Sequence, residues 1–219
     1  ERRTASKRHS TSPTPKPPDR ADVSDAGWAD GEPPEATASI PAQASPDALI
    51  ESYERTTGAP VGRWAFHDAR GDEVGIVVRW DEAPATGTAP SGKPAKIVRP
   101  FSLIDGAWVN KAMPAPRPLW HLPELLALPP GAWIYVCEGE KAAEAARAIG
   151  LVATTSAGGS KAADKSDWSP VREKVVVVLP DNDEPGDAYA DEVVALCQKA
   201  GAEEVRVLRL ADHWPSLPL

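Results

Sequence analysis

Few residues in this sequence could build a zinc site or a disulfide framework. The 219 residues include only two cysteines and four histidines, and their spacing matches no zinc-binding pattern. Cys137 and Cys197 lie on apolar segments, so we expect two free, buried thiols in a reducing cytoplasm. The sequence also lacks an apolar run near the roughly 18 residues of a membrane span. No signal peptide is visible, so we expect no membrane partner.

Basic residues are also in deficit, which at first argues against a nucleic-acid-binding protein. The formal net charge is −8, with 24 Lys and Arg against 32 Asp and Glu. The charge is uneven, because residues 1–20 carry six basic and two acidic residues, whereas residues 21–50 carry six acidic residues and no basic one. Bound cations would reverse the local field of an acidic site, so net charge does not decide the partner.

Residues 1–45 have almost no periodic apolar residues and are rich in Ser, Thr, Pro and charge. Such a segment cannot bury enough surface to offset its ordering entropy, so we expect a disordered N-terminal tail or linker. Its basic start has two open interpretations, a solvated tail or a contact with nucleic acid. The chain begins with Glu1 rather than Met, and we expect it to be a piece of a longer protein. Residues 213–219 are read as a short tail.

Residues 46–131 predict a small antiparallel β unit. A helix is expected over 46–60, with Ser45 as N-cap and Pro46 in the first turn. The Gly-containing turn at 69–72 between two runs of β-forming residues indicates a hairpin. The expected strands are 64–68, 74–80, 96–103 and 106–109, and a short helix is expected at 122–128.

This β unit is rich in aromatic and basic residues, and two interpretations of them are open. They could form a surface that stacks bases and neutralises phosphates, or the aromatic residues could be core and the arginines a solvated face. The residues concerned are Trp64, Trp80, Phe101, Trp108 and Trp120, with Arg63, Arg79, Arg99 and Arg117.

From residue 132 to residue 212 short apolar strands alternate with helices. Alternation of this kind predicts a parallel sheet with helices on both faces. The sequence therefore predicts an α/β fold, with the parallel sheet preceded by the small antiparallel unit and the disordered tail. The expected strands are 133–137, 152–155, 175–179 and 205–208, and the expected helices are 140–149, a turn near 161–172, and 186–200.

Carboxylates follow two of these strands directly. Glu138 comes after the strand 133–137, and Asp181 and Asp183 come after the strand 175–179. The carboxyl ends of parallel strands are where sites form in open α/β sheets. A Glu and an Asp-x-Asp are suitable ligands for Mg²⁺, with Mn²⁺ as a second option. The sequence therefore predicts that these three acids converge as a metal-binding and catalytic site.

The order of these motifs resembles the Toprim domain of DNA primases, in particular that of phage and plasmid primase/helicase proteins. The resemblance rests on the segments EGEK at 138–141, SAGGS at 156–160 and LPDNDEPG at 179–186. It covers roughly residues 132–212. The resemblance implies Mg²⁺-dependent nucleotidyl transfer that makes RNA primers in replication. It also implies that Glu138 acts as a metal ligand or general base. The implied partners are a single-stranded DNA template, ribonucleotides and a helicase domain in the same full-length chain.

A second group of residues could contact phosphates. Glycines let backbone N–H groups approach an anion closely, and lysines or arginines supply charge. The segment of residues 158–161, Gly-Gly-Ser-Lys, is not a Walker A motif, because the first glycine and the Lys-Ser/Thr pair of that motif are missing. The candidates for phosphate or nucleic-acid binding are Lys141, Gly158, Gly159, Ser160, Lys161, Arg99 and Arg117.

The chain departs from the family pattern at two places, so other functions stay open. Ala142 stands where primases commonly carry an Asp, and Asp212 stands alone where a further acidic pair is expected. One alternative is a Toprim nuclease. A topoisomerase is disfavoured, because no tyrosine is obviously placed as its nucleophile. The other alternative is a non-catalytic module that binds nucleic acid.

Overall fold

The computed structural model describes residues 45–81 and 96–213. The predicted disordered tail, apart from Ser45, lies outside this part of the chain, as do residues 82–95 and the last six residues. The elements in chain order are α1 (Pro46–Thr57), β1 (Gly62–His67), β2 (Glu73–Asp81), β3 (Lys96–Ile104), β4 (Ala107–Val109), α2 (Leu122–Ala127), β5 (Trp133–Cys137), α3 (Glu140–Ala148), β6 (Ala153–Thr154), β7 (Val175–Leu179), α4 (Glu184–Ala200), β8 (Glu204–Val207) and α5 (Leu210–His213). Two 3₁₀ turns, Ala163–Lys165 and Ser169–Val171, lie between β6 and β7.

The first sheet is an antiparallel meander with the strand order β1-β2-β3-β4. The hairpin between β1 and β2 closes as predicted, because a carboxylate oxygen of Asp68 accepts hydrogen bonds from the backbone N–H groups of Arg70 and Asp72, at 2.8 and 3.0 Å. Helix α1 begins at its predicted cap, where the Ser45 hydroxyl accepts from the Asp47 backbone N–H. One face of this sheet packs on α1 through a buried cluster that includes Leu49 and Trp80.

The second sheet is parallel, with the strand order β6-β5-β7-β8. Its two long helices cover opposite faces. Helix α4 packs on Ile134 and Val136, and α3 packs on the face that carries Cys137. The fold is therefore the predicted α/β arrangement, a four-stranded parallel sheet with interleaved helices that follows a four-stranded antiparallel sheet.

A shared apolar cluster joins the two sheets. Trp64 and Phe66 of β1 and Val77 of β2 meet Ala143 and Ala146 of α3 in one buried group. Apolar surface that is removed from water on both sides of such a contact stabilises both partners. The antiparallel sheet is consequently packed against the helix that begins just after Glu138.

No helix in residues 45–81 and 96–213 is long and apolar enough to cross a membrane. Both cysteines are buried and neither forms a disulfide, as predicted from their isolation in the sequence.

Candidate functional site

The candidate site lies at the carboxyl edge of the parallel sheet, between its two central strands. β5 and β7 are hydrogen-bonded neighbours, and their last residues, Cys137 and Leu179, pair with each other. Glu138 and Pro180, the residues that directly follow this pair, therefore lie at the same edge of the sheet. Asp181 is the next residue after Pro180. The chain connections diverge at this point, since β5 leads to β6 on one side and β7 leads to β8 on the other. A crevice forms where connections diverge in this way.

Glu138 lies in the protein rather than on its surface. Its side chain is only 8% exposed, and its Oε2 atom is shielded from solvent. A surface glutamate that merely starts a helix would not have this environment.

Asp183 has a structural role that was not predicted from the sequence. It is the N-cap of α4, and its Oδ1 atom accepts a hydrogen bond of 2.9 Å from the backbone N–H of Gly186. An aspartate at this position satisfies an otherwise unpaired helix donor and interacts well with the helix dipole. The helix consequently begins at Glu184, two residues earlier than predicted.

Asp181 is exposed, and its backbone packs against Gly186 in the first turn of α4. A Cβ atom at Gly186 would overlap the carbonyl oxygen of Asp181 and would lie 2.9 Å from its carbonyl carbon. Only glycine allows this close approach of helix and loop. Burial, followed by the negative charge of Asp181, raises the pKa of the Cys137 thiol to about 12. Asp181 is therefore electrostatically coupled to the end of β5.

Tyr189 of α4 connects the segments around this edge, and sequence reasoning missed it. The side chain is fully buried. Its hydroxyl donates to the carbonyl oxygen of Cys137 at 3.2 Å and lies 3.1 Å from the hydroxyl of Ser156. Burial, with a smaller contribution from the charge of Glu138, raises its pKa, so the hydroxyl stays protonated. Its position six residues after the helix cap was the only signal that the sequence offered.

The predicted glycine loop follows β6 and lies at the same edge. Gly158 and Gly159 have φ values of 113° and 75°, in the left-handed region that favours glycine. A Cβ atom at Gly158 would lie 2.7 Å from a guanidinium nitrogen of Arg117, whereas the corresponding space at Gly159 is open. Ser160 is half-buried, and Lys161 is exposed. The open side of the loop at Gly159 is thus where an anion could approach.

Arg117 does not lie on the surface. It is 6% exposed, and its guanidinium donates to the backbone carbonyls of Met113, at 2.7 Å, and Ala157, at 3.1 Å. Its own backbone N–H and C=O bond to residues 165 and 167. Arg117 therefore fastens the glycine loop to the segment before α2, which is a structural role. Its contact with nucleic acid stays a prediction.

The other predicted cations are exposed. Lys141 lies in the first turn of α3, near the end of β5, and is available to an anion at the edge. Arg99 is exposed on β3, and its guanidinium carbon lies 5.9 Å from the ring centroid of Tyr53. Arg99 belongs to the antiparallel sheet, and its guanidinium also donates to the carbonyl oxygen of the neighbouring Val98.

Of the two interpretations left open for the aromatic residues, the structure supports the core, because all five side chains are buried. Their exposed fractions range from 0% to 7%. Two of the indole N–H groups are also engaged: that of Trp64 donates to Glu144 and that of Trp80 to the carbonyl oxygen of Gly58. The buried residues are Trp64, Trp80, Phe101, Trp108 and Trp120.

Glu140 is a further acid at this edge, in the first turn of α3. Burial raises the pKa of its carboxyl group to about 7. A carboxyl that titrates near neutrality is found at functional sites more often than elsewhere. Glu140 is half-buried and lies two residues from Glu138 in the sequence.

The residues at the edge fit a hard divalent cation in chemistry, but only partly in placement. Glu138 and Asp181 offer carboxylate oxygens, which Mg²⁺ prefers, and Asp183 has one oxygen committed to its helix cap. Within residues 45–81 and 96–213, no three His, Cys, Asp or Glu side chains are gathered closely enough to hold a metal ion. An ion would therefore have to draw the carboxylates together.

A comparison with protein-family models and a comparison with curated proteins each returned no match.

Proposed function

We propose that this chain is a Mg²⁺-dependent domain for nucleotidyl or phosphoryl transfer on nucleic acid, the Toprim part of a DNA primase or primase/helicase. In this proposal the substrates are ribonucleotides on a single-stranded DNA template, and Mn²⁺ can replace Mg²⁺. A helicase domain in the same full-length chain is the expected partner. The observation that carries the proposal is the pairing of Cys137 with Leu179, which brings Glu138 and Asp181 to one edge.

Each part of the edge has a role in this proposal. Glu138, Asp181 and Asp183 hold the cation, and when bound the cation supplies charge stabilisation to the phosphoryl group. Lys141, Lys161 and the backbone around Gly159 contact phosphate oxygens. The buried position of Glu138 keeps water from one side of the carboxylate, and this strengthens its electrostatic interactions.

A non-catalytic module that binds nucleic acid is the second candidate, and three observations favour it. Asp183 is committed to the cap of α4, and the described acids form no ready-made metal cluster. Ala142 also lacks the carboxylate that primases commonly carry there. In this alternative the acids at the edge act as caps and as loop structure.

The first test is thermal melting with and without Mg²⁺ or Mn²⁺. An ion at 100 times its dissociation constant stabilises the folded state by about 2.7 kcal/mol. We expect this stabilisation in the wild type and its loss in the double variant Asp181→Asn, Asp183→Asn. Asparagine is as good an N-cap as aspartate, so the cap of α4 survives the change. Asp191→Asn, an exposed charge loss further along α4, is the matched control.

The second test is chemical. Primer synthesis from labelled ribonucleotides, in the full-length protein, should fall by several orders of magnitude in Glu138→Gln, because positioning and charge stabilisation dominate phosphoryl transfer. Nicking of a plasmid without primer synthesis would favour the nuclease. Equal ion-induced stabilisation in the wild type and the double variant would place the ion elsewhere, and undiminished synthesis by Glu138→Gln would remove that residue from the reaction.

A further inference from the structure

Three segments of different origin meet at a single side chain, that of Tyr189. Its hydroxyl donates to the carbonyl oxygen of Cys137, the residue before Glu138. Since the hydroxyl has one proton, the hydrogen bond with Ser156 must then be donated by Ser156. Ser156 lies at the start of the glycine loop, and Tyr189 itself lies on α4, so one buried hydroxyl joins β5, the loop and the helix.

Helix α4 also controls the second carboxylate-bearing segment. Gly186 contacts the backbone of Asp181 so closely that no side chain fits between them. Gly186 and Tyr189 lie three residues apart on α4, and positions with this spacing are on the same side of a helix. The helix therefore touches the segment of Asp181 with one residue and the end of β5, at Cys137, with the other.

We infer that the Tyr189 hydroxyl is a positioning group that sets the separation of Glu138 from Asp181 and holds the glycine loop beside them. The inference rests on the proposed function in so far as the edge binds a cation. A positioning group acts through the main chain here: without the hydrogen bond to the Cys137 carbonyl, the end of β5 can move relative to α4. The ion then has to gather carboxylates whose separation varies more widely, and this weakens its binding.

The test uses Tyr189→Phe, which keeps the ring and removes the hydroxyl. The chain offers a matched control in Tyr53→Phe: the Tyr53 hydroxyl donates to Asn110 at 3.0 Å and lies next to the cluster that packs on α1. We expect the Mn²⁺ concentration at half-saturation, from melting curves, to rise about fivefold in Tyr189→Phe, the factor that one ordinary hydrogen bond is worth. Tyr53→Phe should lower the melting temperature and leave the Mn²⁺ midpoint unchanged.

A second readout does not need the metal. Cys137 and Cys197 are both buried free thiols, and their rates of labelling by a thiol reagent report local opening of β5 and of α4 respectively. Tyr189→Phe should raise the ratio of Cys137 to Cys197 labelling about fivefold, by the same hydrogen-bond reasoning. Ser156→Ala, which removes the other hydroxyl, should raise it less and serves if Tyr189→Phe folds poorly.

The outcomes separate this inference from the proposed function. A rise in both the Mn²⁺ midpoint and the labelling ratio, absent in Tyr53→Phe, supports it. An unchanged Mn²⁺ midpoint in Tyr189→Phe overturns it, whether or not the labelling ratio moves. Failure of the wild type to respond to Mn²⁺ refutes the proposed function by itself, and the labelling ratio still decides whether Tyr189 holds the end of β5.

Discussion

Replacing Gly186 by alanine tests the contact that holds Asp181 in place. The new Cβ atom would overlap the Asp181 carbonyl oxygen and would lie 2.9 and 3.0 Å from the carbonyl carbon and the nitrogen of the same residue. All three atoms are backbone, so no flexible side chain can move aside. Either the first turn of α4 or the Asp181 loop must shift.

Two opposing effects set the size of the change. Overpacking of this kind costs about 1–3 kcal/mol, while alanine is favoured over glycine inside a helix by up to about 1 kcal/mol. The gain is smaller at Gly186, because the residue lies in the first turn of α4. We therefore expect a net loss of about 1–2 kcal/mol, a fall in melting temperature of roughly 2–8 °C for a chain of this size.

The assay is urea and thermal unfolding of Gly186→Ala beside Gly139→Ala. Gly139 precedes α3 in an ordinary extended conformation, and a Cβ atom there meets nothing within 4 Å. The control should change stability by less than about 1 kcal/mol, the usual effect at an N-cap. Moreover, Gly186→Ala should weaken Mn²⁺ binding, because it displaces Asp181. A Gly186→Ala protein that is as stable as the wild type would refute the steric argument.

Two further predictions concern groups around the edge. The pKa of Glu140 is raised to about 7 from 4.5, so the folded state binds the proton more tightly and loses stability as the pH rises through that interval. Glu140→Gln should remove this loss when the free energy of unfolding is measured by urea titration at several pH values. Parallel curves of unfolding free energy against pH for the two proteins would contradict the prediction. Arg117→Lys should lower the free energy of unfolding in urea by about 2–3 kcal/mol, because lysine cannot keep both carbonyl hydrogen bonds. The control Arg99→Lys, at an exposed position, should change it by no more than about 0.5 kcal/mol. Equal effects would argue against a structural role for Arg117.

Local signals in the sequence were enough to place most elements. The strand Val175–Leu179 is an unbroken run of β-forming apolar residues, and α1 starts at its Ser45 cap followed by proline. Helix α4 begins earlier than predicted, although Asp183 with a proline two residues later is itself a cap signal. The early start follows from a competition that sequence spacing leaves open, since the Asp183 side chain can face either a cation or its own helix.

Side-chain direction was much harder to predict than strand position. A tryptophan beside an arginine on a strand suits a nucleic-acid surface and a buried core equally well, and burial decided for the core at Trp64 and Trp80. Arg117 was similarly ambiguous, because its guanidinium bonds to backbone carbonyls, and one of them, that of Ala157, lies 40 residues away along the chain. The contacts of Tyr189 were out of reach for the same reason: Cys137 is 52 residues away along the chain.

The apolar cluster shared by the two sheets limits how recombination can transfer parts of this chain to another protein. Ala143 and Ala146 of α3 are covered by Trp64, Phe66 and neighbouring side chains of the antiparallel sheet. A fragment that starts at residue 132 would expose this apolar face to water, with the loss of stability that such exposure entails. Recombination between proteins would therefore have to move both sheets together, or supply another surface to cover α3. The antiparallel sheet is, in this sense, part of the evolutionary unit that carries the acidic edge.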